Sequence, residues 1–225
     1  MNSIFSYSNP FTQFTVKLLK LLWLNILWIV FSLPLVTMGA STAALYYTTM
    51  RLARNEEGYL TRDFFHAFKS SFKNSTIFFF LIMVVTIVCG ADFFFFGKSP
   101  IAMVRLFAFL ILGFLLCFSL AAVYLLPLTA QFQNTARGTF STALMITAQN
   151  LHWSLCLLIL NLVLPLVILF KFLPLIVFGI ALPIFLQSYI LNKIFKKYLP
   201  GEEFTPGSLA KNKGGFKKQI RFSEE

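Results

Sequence analysis

Charge is scarce in this chain: 12% of its 225 residues are Asp, Glu, Lys or Arg, and only 8 are acidic. Soluble domains carry about 25% charged residues. With 58% hydrophobic residues and a mean hydropathy of +0.78, the chain has too little polar surface to cover an aqueous fold, which excludes an ordinary soluble protein. Cysteine is also sparse. Cys89, Cys117 and Cys156 all fall in apolar runs, and an odd number without CxxC or Cys/His spacing gives neither a disulfide framework nor a zinc site. The two histidines, His66 and His152, belong to no set with metal-ligand spacing. HExxH, GxSxG and P-loop sequences are missing. The expectation is a protein without catalytic residues, metal or cofactor.

Long apolar runs are what the sequence has. About 20 apolar residues in a helix span a hydrocarbon core of roughly 30 Å. Residues 21–44, 77–96 (interrupted by Asp92), 101–128 (with Arg105 near its start), 151–170 and 172–191 approach or exceed that length. None alternates polar with apolar as barrel strands do. The expected fold is all-α, a polytopic transmembrane helical bundle of about five spans over residues 1–192, followed by a basic tail at 193–225. A cleaved leader is the alternative for the first run, but more membrane sequence follows it, where a secreted domain would be expected.

Positive charge sets the orientation, because cytoplasmic loops retain Lys and Arg. One basic segment holds Arg51, Arg54, Arg62, Lys69 and Lys73; the other begins at Lys193 and runs through the tail. The loop around residues 97–100 has only Lys98, and the short turn between the last two spans has only Lys171. Both basic segments are therefore expected in the cytoplasm, and five spans then put the amino terminus outside, with Lys17 and Lys20 discordant. Residues 39–50, short and rich in Ser and Thr, read as an extension of the first span or a re-entrant piece. If they crossed as a separate span, the amino terminus would move inside.

Two amphipathic stretches interrupt the spans. In residues 61–75, Phe64, Phe65, Phe68 and Phe72 share one helical face, and Arg62, Lys69 and Lys73 lie largely away from it. That suits either a cytoplasmic helix lying on anionic headgroups or one packed on the end of the bundle. In residues 130–150 an apolar stripe of Phe132, Ala136, Phe140, Ala143 and Leu144 is expected. Leu33-Pro34-Leu35 and Leu126-Pro127-Leu128 suggest a weak internal repeat, each marking a span's end.

Candidate functional residues fall into two groups. Asn25, Asn161 and Gln187 lie inside apolar runs, where they either hydrogen-bond between helices or line a solute path. Arg51, Arg54, Glu56, Glu57, Arg62 and Asp63 form the densest polar cluster, suited to docking a soluble partner or to pairing internally. Asp92 and Arg105, near the ends of their runs, are expected at the headgroup boundary, able to pair with one another, and support no coupled ion pump.

One ordered set of residues has a familiar look: Asn9-Pro10-Phe11, Leu24-Asn25, Ser32 to Ala40, Ala44-Leu45-Tyr46-Tyr47, Glu56-Glu57-Gly58-Tyr59, Asp63-Phe64-Phe65 and Phe72-Lys73-Asn74. It resembles the bacterial YesL family of integral membrane proteins. The resemblance is densest before Ser75 and implies a multi-pass protein of the bacterial plasma membrane, often encoded beside oligosaccharide importers. It brings no catalytic residues with it. The expected function is accordingly that of a non-enzymatic accessory of a carbohydrate uptake system. Its expected partners are the bilayer, anionic lipid at the cytoplasmic face and importer subunits, with no nucleic acid. The alternative is a small solute transporter or channel acting on its own.

Overall fold

The computed structural model describes residues 10–56, 58–98, 100–132, 135–171 and 180–198. Among them are seven α-helices and no strand: α1 (Pro10–Ser32), α2 (Met38–Ala53), α3 (Leu60–Phe96), α4 (Ala102–Gln131), α5 (Ala136–Gln149), α6 (Leu151–Lys171) and α7 (Ala181–Tyr198). α1, α3 and α4 are each long and apolar enough to cross a membrane, and α5 with the first part of α6, bent by 107°, forms a fourth candidate span. The fold is a multi-pass helical bundle. The last expected span lies partly in residues 172–179, outside the described residues, and its remainder opens α7.

The first expected span divides in two. Pro34 disfavours helical geometry in the residue before it and cannot donate to the ladder, so α1 stops at Ser32. The hydroxyl of Thr37 donates to the carbonyls of Phe31 (2.6 Å) and Pro34 (2.8 Å), satisfying groups the break leaves open. The chain then turns back through a short 3₁₀ segment, Leu35–Thr37, into α2. Trp28 Nε1 donates to Thr42 Oγ1 (3.1 Å) and Ser32 and Ser41 share a hydroxyl bond (2.6 Å), so α1 and α2 form an antiparallel hairpin.

α2 is the centre of the bundle. From Gly39 to Met50 every residue but Thr42 is buried, although the segment is only modestly apolar. Gly39, Ala40, Ser41, Ala43 and Ala44 let neighbouring backbones approach, the packing that membrane bundles use. Thr48 and Thr49 return their hydroxyls to carbonyls of their own helix, so burial leaves them satisfied. α2 ends in a Schellman turn: Asn55, at φ 57°, donates to Leu52 O (3.2 Å), and Glu56 N donates to Arg51 O (3.1 Å).

α3 corrects a second expectation. The stretch at residues 61–75 is not a separate helix. It is the first part of one 37-residue helix, about 55 Å long at 1.5 Å per residue, that continues into the second apolar run. No proline interrupts it. Its Phe64 is fully buried and, with Phe65 and Phe68, meets Phe31 of α1 at centroid distances of 6.1, 5.1 and 5.5 Å. α4 returns antiparallel to α3, joined by Ser75 to Thr129 (2.9 Å) at one level and by Phe93 against Phe109 at another. Pro127 lies inside α4, so the two Leu-Pro sites play different structural parts and the repeat fails.

The stripe expected at residues 130–150 holds at Phe132 and Ala143, which are buried, and at Ala136 and Phe140, which pack against the core, but not at Leu144. α5 buries Thr139, Thr142, Ala143, Ile146 and Thr147, whereas Leu144 is 47% exposed. Each of the three threonine hydroxyls donates to the carbonyl four residues earlier, which lets them face inward. α6 and α7 run antiparallel, with Asn161 beside Gln187 and the Lys193 ammonium over the Trp153 ring. α7 passes through the expected boundary at residue 193 to Tyr198; the rest of the tail lies outside the described residues.

Candidate functional site

The charged segment between α2 and α3 folds back on itself. Arg51 Nε donates to Glu56 Oε2 and Arg51 Nη1 pairs with Asp63 Oδ2, both at 2.9 Å, and Arg54 also pairs with Glu56. Burial acts against the Arg51 cation, but the Glu56 hydrogen bond and nearby negative groups outweigh it and push the guanidinium pKa above its usual value. Arg54 Nη1 donates to Asn192 Oδ1, and Asn192 Nδ2 donates to the Met50 carbonyl, each at 2.9 Å, fastening the loop to α7. Of the six residues expected to contact a partner, Arg51, Arg54, Glu56 and Asp63 are thus engaged within the fold. Arg62 is exposed on α3, and Glu57 lies outside the described residues. Beyond it, Lys69 and Lys73 are exposed, Phe64 is buried, and Phe68 and Phe72 are partly covered, with rings 5.5 Å apart.

Two of the three intramembrane polar residues, Asn161 and Gln187, are brought together, and the third, Asn25, is tied to the head of α7. Gln187, fully buried on α7, accepts through Oε1 from Tyr46 OH of α2 (2.8 Å) and from Asn161 Nδ2 of α6 (3.3 Å). The next residue, Ser188, shares a 2.9 Å hydroxyl bond with Thr49 of α2. Asn25 of α1 accepts from the backbone N–H of Ile180 at the head of α7 (3.4 Å). Tyr46, Asn161 and Ile180 all border one cavity of about 380 Å³. Its other walls include Trp28, Thr42, Ile82, Ser119 and Pro183, so that α1, α2, α3, α4, α6 and α7 each contribute.

The cavity's chemistry is neutral. No Asp, Glu, Lys, Arg or His lines it among the described residues. Thr42 and Ser119 return their hydroxyls to carbonyls of their own helices, and Tyr46 donates to Gln187. Gln187 Nε2 is buried without a hydrogen-bond partner among the described residues. Such an orphan amide is costly unless a partner reaches it. The remaining walls are aliphatic or aromatic, the usual composition of a site for a small neutral molecule, and the volume lies within the roughly 300–1,000 Å³ of such sites. The sequence marked Asn25, Asn161 and Gln187 but missed Tyr46, which sits in a run of small and hydroxylated residues with nothing to set it apart.

Asp92 and Arg105, near the far end of the α3–α4 hairpin, make no ion pair with each other among the described residues. Cys117 and Cys156 are exposed on apolar helix surfaces and Cys89 is partly covered.

Residues 21–93, from the middle of α1 almost to the end of α3, match the family model described as "Protein of unknown function, DUF624". The matched block includes Asn25, Tyr46 and the whole charged loop. No curated protein and no solved structure shows significant similarity to the chain.

Proposed function

We propose that this chain is a non-enzymatic, multi-pass component of a bacterial carbohydrate uptake system, and that it works through the neutral cavity beside Tyr46 and Asn161. The hydrogen-bonded set of Tyr46, Asn161 and Gln187, drawn from three helices and placing Tyr46 and Asn161 on the wall of that one cavity, carries this reading. A sugar ring has hydroxyl edges and apolar C–H faces. The cavity pairs a hydrogen-bonding edge of Tyr46 and Asn161 with walls of Trp28, Ile82 and Pro183. Its neutrality fits an uncharged solute and disfavours an ion. The resemblance to the YesL family, and the importers with which that family is associated, supports the saccharide class. The internal pairing of Arg51, Arg54, Glu56 and Asp63 favours the cavity over the loop as the working site.

The test uses the full chain purified in mild detergent and then reconstituted in liposomes. A mono- or disaccharide should raise its thermal midpoint, and Asn161→Leu should remove that response while leaving the unliganded midpoint nearly unchanged. Flux of the same sugar through the chain alone would make it a transporter, and binding without flux, with importer subunits co-purifying from the native membrane, would make it an accessory. No response to any of a panel of neutral sugars would overturn the reading.

A further inference from the structure

A second cleft lies at the charged end of the bundle. Thr12, Gln13, Lys17 and Lys20 of α1 face Leu52, Asn55 and Glu56 of the α2 end and loop across a space of about 270 Å³. Glu56 is neutralised by Arg51 and Arg54, so the two lysines set the sign of the cleft. Neither lysine takes part in an ion pair among the described residues. Asn55 is held there by its left-handed backbone at the end of α2, and Thr12, Gln13 and Asn55 add neutral hydrogen-bonding groups.

What adjoins the cleft identifies the occupant. Leu19, Trp23, Ile26 and Val30 are all exposed and follow one another at helical spacing up α1. Trp23, at the foot of this stripe, donates its ring N–H to Thr61 (3.0 Å), the amphipathic placement of an interfacial tryptophan. Two unpaired cations in a polar hollow, continuous with an apolar stripe leading away along the helix, match a molecule with an anionic phosphate head and hydrocarbon chains. We infer that the cleft between the start of α1 and the α2–α3 loop binds the phosphate of an anionic phospholipid, with Lys17 and Lys20 as its cations and the α1 stripe as the track for its acyl chains.

Native mass spectrometry and thermal unfolding of the detergent-purified full chain test this. Phosphatidylglycerol should remain bound and raise the midpoint of the wild type more than phosphatidylcholine does. Lys17→Ala/Lys20→Ala should weaken retention by roughly thirtyfold, at about fivefold for each cation beside an anionic surface. Lys17→Arg/Lys20→Arg should preserve it, and Lys69→Ala/Lys73→Ala on α3 should leave it unchanged. Should the alanine variant not fold, the headgroup preference of the wild type and the arginine variant still decide. Equal retention of both lipids, or equal loss with the α3 variant, would overturn the inference. Inorganic phosphate at millimolar concentration stabilising the chain as well as the lipid does would also overturn it, because the occupant would then be free phosphate.

Discussion

Gly39 of α2 lies directly against Ser75 of α3: a Cβ on the glycine would stand 2.6 Å from the Ser75 carbonyl oxygen and 2.6 Å from the Phe79 Cβ. Both neighbours are backbone or the root of a side chain, so neither helix can yield without moving. Gly39→Ala is therefore expected to lower stability by about 1–3 kcal/mol, the usual cost of overpacking. Gly90, farther along α3, has nothing within 4 Å of such a Cβ, and Gly90→Ala should be neutral or mildly stabilising through helix propensity. Thermal midpoints of the two variants in one detergent check the contrast; equal shifts would contradict the close α2–α3 packing.

Gln187 acts as a positioning residue, because it holds Tyr46 and Asn161 from behind the cavity wall. Gln187→Leu removes one acceptor from two donors, and Tyr46→Phe removes one donor. A double-mutant cycle on these two should give a coupling of about 0.6–2 kcal/mol, the range for polar contacts between membrane helices. Sugar-dependent stabilisation should fall in both single variants. Strict additivity in the unfolding free energies would show that the bond does not form.

The helical bundle was legible because charge-free runs of membrane length admit few other folds, and Asn161 and Gln187 stood out as amides inside such runs. The division of the first run was not legible in the same way. Pro34 was visible, but a span can absorb a proline, and α2 looked too polar to be central. Its small residues and self-bonded threonines are what permit burial, and hydropathy counts them as solvent-facing. The same physics widened the inward face of α5, where Thr139, Thr142 and Thr147 join Ala143 and Ile146, while Leu144 points out. The cavity itself depends on six helices meeting, which periodicity within any one of them does not encode.

The loop should behave as an internal clasp. Arg51 bridges Glu56 and Asp63, and Asp63 has no other ion pair among the described residues, whereas Glu56 keeps Arg54. Arg51→Met is thus expected to cost on the order of 1–3 kcal/mol, and Glu56→Gln less, since hydrogen bonds to charged groups contribute about that much where they are partly buried. Gly58→Ala should mimic Arg51→Met in part, because its Cβ would come 2.6 Å from Asp63 Oδ2 and displace that carboxylate from Arg51. Unfolding midpoints of the three variants rank the effects; Glu56→Gln proving the most damaging would refute the central place of Arg51.

The two chain ends should lie on the same side of the membrane. The sequence placed the amino terminus opposite the 51–63 segment, because residues 21–44 were counted as one crossing. In the structure α2 returns alongside α1, so that Lys17 and Lys20 share a cleft with Asn55 and Glu56, and Asn192 near the end of α7 holds Met50 and Arg54. Lys17, Lys20, Arg51, Arg54, Arg62 and Lys193 then gather at one end of the bundle, and Lys98 stands at the other, at the α3–α4 turn. The cations at the crowded end outweigh Lys98 and the nearby Arg105 at the other, which favours an orientation with the crowded end in the cytoplasm, and the discordance of Lys17 and Lys20 disappears. Fusions of a reporter that fluoresces only in the cytoplasm should be active both before Met1 and after Glu225, and a phosphatase that works only outside should be active when inserted at Lys98. A silent amino-terminal fusion beside an active carboxyl-terminal one would mean that α1 and α2 do not form the hairpin described here, and the lipid cleft between them would fall with it.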